Sequence, residues 1–78
     1  MHNNEITTAI LRACVDTSTE INFLHIGHMK VSFGIVTDHE RGQVHGAIFS
    51  RSHATHADIY GWAVSDIKSR DESRKVLE

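Results

Sequence analysis

Between residues 4 and 18, apolar side chains recur at helical spacing. Ile6, Ala9, Ile10, Ala13 and Cys14 share one side, while Glu5, Thr8, Arg12 and Asp16 fall within a polar sector of roughly 80°. This spacing predicts an amphipathic helix, with Asn3 or Asn4 as its cap. Leu11 and Val15 carry the apolar arc further round than one sheet face covers. Either a loop or a second helix takes up the excess, or Leu11 and Val15 meet another chain, as in small domains that complete their cores by oligomerising.

From Ile21 the period changes. Ile21 to Ile26 is apolar enough for a strand, and Gly27 then permits a turn or bulge before Met29. Residues 29 to 37 alternate, with Val31, Phe33 and Ile35 on one face and Lys30, Ser32 and Gly34 on the other; residues 43 to 50 alternate again. The polar stretch Asp38-His39-Glu40-Arg41-Gly42 suits a hairpin loop with Gly42 at positive φ. Placing Val36 opposite Val44 sets Val31 across from Phe49, Phe33 from Ala47 and Ile35 from His45. The other face then sets Gly34 against Gly46, flanked by Val36, Val44 and Ile48. This low, partly apolar saddle is read as a place of strong twist or a bulge rather than as a groove.

Thr55-His56-Ala57-Asp58 fits a capping box for a second helix, although Ser52 could start it one turn sooner. Ile59, Tyr60, Ala63, Val64 and Ile67 share one arc, with Trp62 on its flank and His56 near its middle, read as a core histidine ahead of one at the rim of a partner surface. Lys68 to Glu78 is mixed in charge and poor in apolar residues, so it should fray or continue as a polar helix. The expected fold class is therefore α+β, in the order α-β-β-β-α: a three-stranded antiparallel sheet with two helices packed on one face. Residues 1–70 form the domain and 71–78 a polar C-terminal extension, in which Leu77-Glu78 resembles a cloning scar.

Composition narrows the function. The 78 residues hold ten Asp and Glu against eight Lys and Arg, too little fixed positive charge to make phosphate-backbone binding the default. One Cys excludes an internal disulfide and a multi-Cys zinc ribbon. No apolar run approaches the roughly 20 residues that cross a bilayer, and the first residues lack a signal-peptide pattern, so a cytoplasmic location without membrane contact is expected.

The element order resembles that of the double-stranded-RNA-binding domain, and the last hairpin with its helix is similar to the sheet-and-helix modules of HicB-type antitoxins. Both likenesses rest on topology. The first implies RNA binding through basic residues where the last helix begins; here that stretch is Ser50-Arg51-Ser52-His53, with Arg51 its one permanent charge. A nucleic-acid-binding alternative would use Lys30, Arg41 and Arg51.

Histidine is the most skewed entry in the composition, at seven residues, and protonating all of them would reverse the sign of the net charge. Two His-x-x-His pairs occur, His25/His28 and His53/His56. On a helix this spacing points both rings one way, whereas on a strand it sends them to opposite faces unless Gly27 introduces a bulge. A zinc-binding alternative rests on these four residues; otherwise no cofactor is expected.

Catalytic patterns fail on chemistry. His39-Glu40-Arg41-Gly42-Gln43 begins like a metalloprotease motif but has Gln43 in place of the second ligand. There is no Gly-x-Ser-x-Gly elbow and no phosphate-cradling Gly loop, and Cys14 falls mid-helix among apolar residues. The leading expectation is a non-enzymatic protein-binding module. It would be a homodimer through Leu11 and Val15, with Tyr60 and Trp62 as anchors for a larger partner that it inhibits or adapts, in the manner of phage and mobile-element anti-defence proteins.

Overall fold

The computed structural model describes the backbone of residues 2–52 and 54–77, and side chains up to residue 69. The elements are α1 (Asn3–Asp16), β1 (Ile21–Ile26), β2 (Lys30–Asp38), β3 (Gln43–Ser50) and α2 (His56–Leu77). The strands form one antiparallel sheet in the order β1-β2-β3. Both helices lie on the same face, where Ile6, Ile10 and Ala13 of α1 and Ile59, Ala63 and Ile67 of α2 bury against Val31, Phe33 and Ile35 of β2. Phe33 meets the Phe49 ring of β3 with centroids 5.6 Å apart. At about 1.5–3 kcal/mol for each large apolar side chain withdrawn from water, this layer is the main stabilising term of the domain.

The start of α1 differs from expectation. His2, in extended conformation, stands at the cap without a side-chain bond, and its carbonyl accepts the N–H groups of Glu5 at 3.0 Å and Ile6 at 3.3 Å. Asn3 and Asn4 are already helical, and their carbonyls accept the hydroxyls of Thr7 and Thr8, so neither caps the helix. The other end closes as a Schellman motif: Thr19 N–H donates to Cys14 O at 2.8 Å and Ser18 N–H to Val15 O at 3.1 Å. Ser18 takes the left-handed position, with φ 53°, that this motif usually gives to glycine.

Ile-Asn-Phe-Leu-His-Ile in β1 does not alternate strictly, and the pairing shows how this is resolved. Ile21 pairs with Ile35, the register then shifts, and Phe23, Leu24, His25 and Ile26 pair with Gly34, Phe33, Ser32 and Val31. Asn22 is the extra residue of a bulge. Ile21, Leu24 and Ile26 thereby all reach the core, while Phe23 and His25 go to the outer face. Of the turn or bulge expected at Gly27, the turn forms, and the bulge of β1 sits five residues earlier. Gly27 closes the β1–β2 turn, donating its N–H to Lys30 O at 2.9 Å and accepting the Arg51 guanidinium at 2.7 Å.

The β2–β3 register is the expected one, from Val31 opposite Phe49 to Val36 opposite Val44. Its loop is held by Asp38 Oδ1, which accepts the N–H groups of Glu40 and Arg41, and Gly42 has φ 65°. The Thr55–Asp58 capping box also forms: Thr55 N–H donates to Asp58 Oδ2 at 3.0 Å, and Asp58 N–H to Thr55 Oγ1 at 3.1 Å. His56 is exposed rather than in the core, because the buried stretch of α2 begins one turn later, at Ile59.

Candidate functional site

Both helices occupy one side of the sheet, so its other side has no covering layer among the described residues. That outer face presents Phe23 and His25 of β1, Lys30, Ser32, Gly34 and Val36 of β2, and Val44, Gly46, Ile48 and Ser50 of β3. Phe23 is 45% exposed, Val44 43% and Ile48 68%. A cluster of large apolar side chains in water is the kind of surface that marks an interaction site.

The saddle at Gly34 and Gly46 is not a bulge, since the two pair in regular register. The Phe23 ring occupies it: a Cβ built on Gly34 would overlap Phe23 Cε1 and come within 3.0 Å of Val44 Cγ1, while one on Gly46 would lie 3.8 Å from Phe23 Cζ. Glycine at 34 therefore lets an aromatic ring lie against the strand backbone. Sequence reasoning missed Phe23. Its signal was the broken alternation of β1 combined with a glycine pair on the neighbouring strands.

The other residues singled out from the sequence lie elsewhere. Leu11, 40% exposed, and Val15, 75% exposed, form an i, i+4 stripe on the solvent side of α1. Tyr60 turns toward α1, where its hydroxyl donates to Asp16 Oδ2 at 2.5 Å. That bond holds the Tyr60 proton and raises its pKa above the ordinary 10.0. Trp62 turns instead toward β3, stacking at a tilt on Phe49 with centroids 6.0 Å apart, and is partly exposed. Tyr60 and Trp62 thus serve different neighbours.

Lys30 begins β2, while Arg41 lies in the β2–β3 loop beside Asp38, at the far end of a hairpin roughly 25 Å long at about 3.3 Å per residue. Arg51 is at the Lys30 end, half-buried and bonded to Gly27 O. Lys30 and Arg51 thus share one end of the hairpin and Arg41 stands at the other.

Among the described residues, no group of three or more His, Cys, Asp or Glu side chains is placed to hold a metal. His25 is on the outer face opposite Ser32, His28 is exposed in the turn after β1 and His56 is exposed at the start of α2; His53 lies outside the described residues. His39 faces Glu20 at 2.7 Å on the surface. His45 Nε2 faces Asp66 Oδ2 at 3.3 Å between β3 and α2, and both atoms are buried without hydrogen-bond geometry. Cys14 is buried in α1, and desolvation raises its thiol pKa, which disfavours the nucleophilic thiolate.

A groove of about 560 Å³ runs between the end of α1 and the far end of β2, lined by Asp16, Ser18, Glu20, Thr37, His39 and Lys68 among others. Its acidic groups are engaged, Asp16 by Tyr60 and Glu20 by His39. No helix among the described residues is long and apolar enough to cross a membrane. No family model, curated protein or solved structure matches the chain.

Proposed function

We propose that this chain is a small, non-enzymatic protein-binding module that works as a homodimer in the cytoplasm and acts as an inhibitor or adaptor of a larger protein. The observation that carries this reading is the uncovered sheet face, on which Phe23, Val44 and Ile48 are exposed around a glycine floor. Apolar surface of this kind is stabilised by removal from water, at about 25 cal/mol per Å² buried, and a partner with a matching apolar surface supplies that removal. The uncharged centre, with Lys30 and His25 toward one end, gives the contact a hydrophobic middle and a polar rim, as protein interfaces have. In this reading Leu11 and Val15 are a secondary apolar spot.

The test is a comparison of immobilised wild-type protein with Phe23→Glu and Val44→Glu in lysate of the source cell, with circular dichroism to verify that each variant is folded. A stoichiometric protein retained by the wild type and lost from both variants is the expected result. Identical retention by all three, or none by any, overturns the reading.

A further inference from the structure

We infer that two copies of this chain join through their β3 edges, antiparallel about a twofold axis at Gly46, so that their sheets become one continuous sheet. This rests on the reading of the chain as a self-associating module and names the surface that associates.

The strand order leaves β1 and β3 as the two edges. Soluble proteins guard exposed edges with short strands, bulges, proline or charge. β1 has such protection: it is six residues long and bulged at Asn22. β3 has none. Its eight residues, Gln43 to Ser50, include no Lys, Arg, Asp, Glu or Pro, and its pairing with β2 is regular from Val44 to Ser50.

The phase of the ladder shows which backbone groups are open. Arg51 N–H donates to Met29 O at 3.1 Å, which makes Lys30 and Ser50 a non-hydrogen-bonded pair. Alternation then gives His45, Ala47 and Phe49 to β2 and turns the N–H and C=O of Val44, Gly46 and Ile48 outward. The β1 side agrees, because Val36, opposite Val44, sends its N–H the other way, to Glu20 O at 2.9 Å.

These outward groups are complementary to themselves. With the axis at Gly46, each Val44 lies opposite Ile48 of the second copy, the two Gly46 residues meet without side chains between them, and every outward N–H and C=O from Val44 to Ile48 finds its counterpart. On the helix side His45 lies opposite Ala47 of the second copy. With no Lys, Arg, Asp or Glu in the strand and His45 opposite Ala47, the pairing sets no like charges against each other across the axis. The two outer faces then merge, so the exposed Val44 and Ile48 become the middle of a doubled apolar platform. Strand pairing buries less than the roughly 1,600 Å² of a standard interface, so the dimer should form reversibly with concentration.

Sedimentation equilibrium over a broad concentration range tests this on the wild type, on Ile48→Lys and Gly46→Pro, and on Leu11→Asp and Val15→Asp. Proline fits an edge position whose N–H points away from the neighbouring strand. The edge variants should raise the dimer dissociation constant about tenfold or more, since the Val44–Ile48 pairing is lost twice, and the helix variants should leave it unchanged. A wild type that stays monomeric, edge variants that dimerise as the wild type does, or a dimer abolished by the helix variants would each overturn the inference. Amide exchange gives a measure independent of variant folding. The N–H groups of Val44, Gly46 and Ile48 should gain protection as wild-type concentration rises, and concentration-independent exchange counts against the contact. A monomeric wild type would also remove the homodimer from the proposed function, whereas capture by Phe23→Glu, whose substitution lies on β1 and leaves the β3 edge intact, tests partner binding separately.

Discussion

The ring of Phe23 lies on the backbone of Gly34, so close that a Cβ at position 34 would come within 2.7 Å of Phe23 Cδ1. Gly34→Ala should therefore destabilise the domain by about 1–3 kcal/mol, as overpacking does, whereas Gly46→Ala meets the ring only at ordinary contact distance and should cost less. Urea denaturation measures both. In a Phe23→Ala background the cost of Gly34→Ala should shrink, and equal costs in the two backgrounds would sever the pair.

Ser18 ends α1 with a left-handed backbone. Glycine adopts that conformation without the Cβ penalty, so Ser18→Gly should stabilise the domain by about 1 kcal/mol, less what glycine loses in unfolded-state entropy. Thermal unfolding reads this as a rise in Tm; a fall would mean that the serine side chain contributes more than its backbone costs.

Tyr60 gives a pH prediction. Its hydroxyl donates to Asp16, and its pKa in the fold is raised above 10.0 by that bond first, then by burial and by the Asp16 charge. The folded state thus holds this proton more tightly than the unfolded chain does. The resulting stability is fully present below the ordinary tyrosine pKa and is lost as pH rises through the raised one. Ultraviolet titration should show Tyr60 ionising later than a free tyrosine, and Asp16→Ala should move it back. No change in that variant would exclude Asp16 as the cause.

His45 and Asp66 face each other between β3 and α2. Removing one partner, as in Asp66→Ala, should cost about 1–3 kcal/mol because the buried imidazole nitrogen loses its counterpart. Replacing both with Leu should recover much of that loss. Denaturant curves of the single and double variants separate the two effects, and additive losses would show that the groups do not interact.

Local rules made some of this legible beforehand. Strict alternation in β2 and β3, with a Gly-terminated polar loop between them, defines one register, because a slip by one residue would turn Phe33 and Val31 to water. The Thr55–Asp58 box is legible because both partners lie within one helical turn. The misplaced features depend on distant partners. Where β1 bulges is decided by which residues β2 offers opposite it, so Asn22 carried no local mark, and Phe23 could not be assigned to the glycine saddle until that shift was known. His56 sits at the right angle on α2 but ahead of its first buried turn, and angle alone does not tell how far a core extends. The cap at His2 likewise departs from the capping preference of asparagine, since Asn3 and Asn4 are already within the helix.

The single inserted residue in β1 also separates two selective pressures. Ile21, Leu24 and Ile26 answer to the interior, while Phe23 lies on the exposed outer face. With glycine at 34 and 46 beneath it, position 23 is a socket into which a different side chain can be fitted at little expense to the fold. If the outer face binds a partner as proposed, that contact could be revised at this position one substitution at a time while the buried layer stayed as it was.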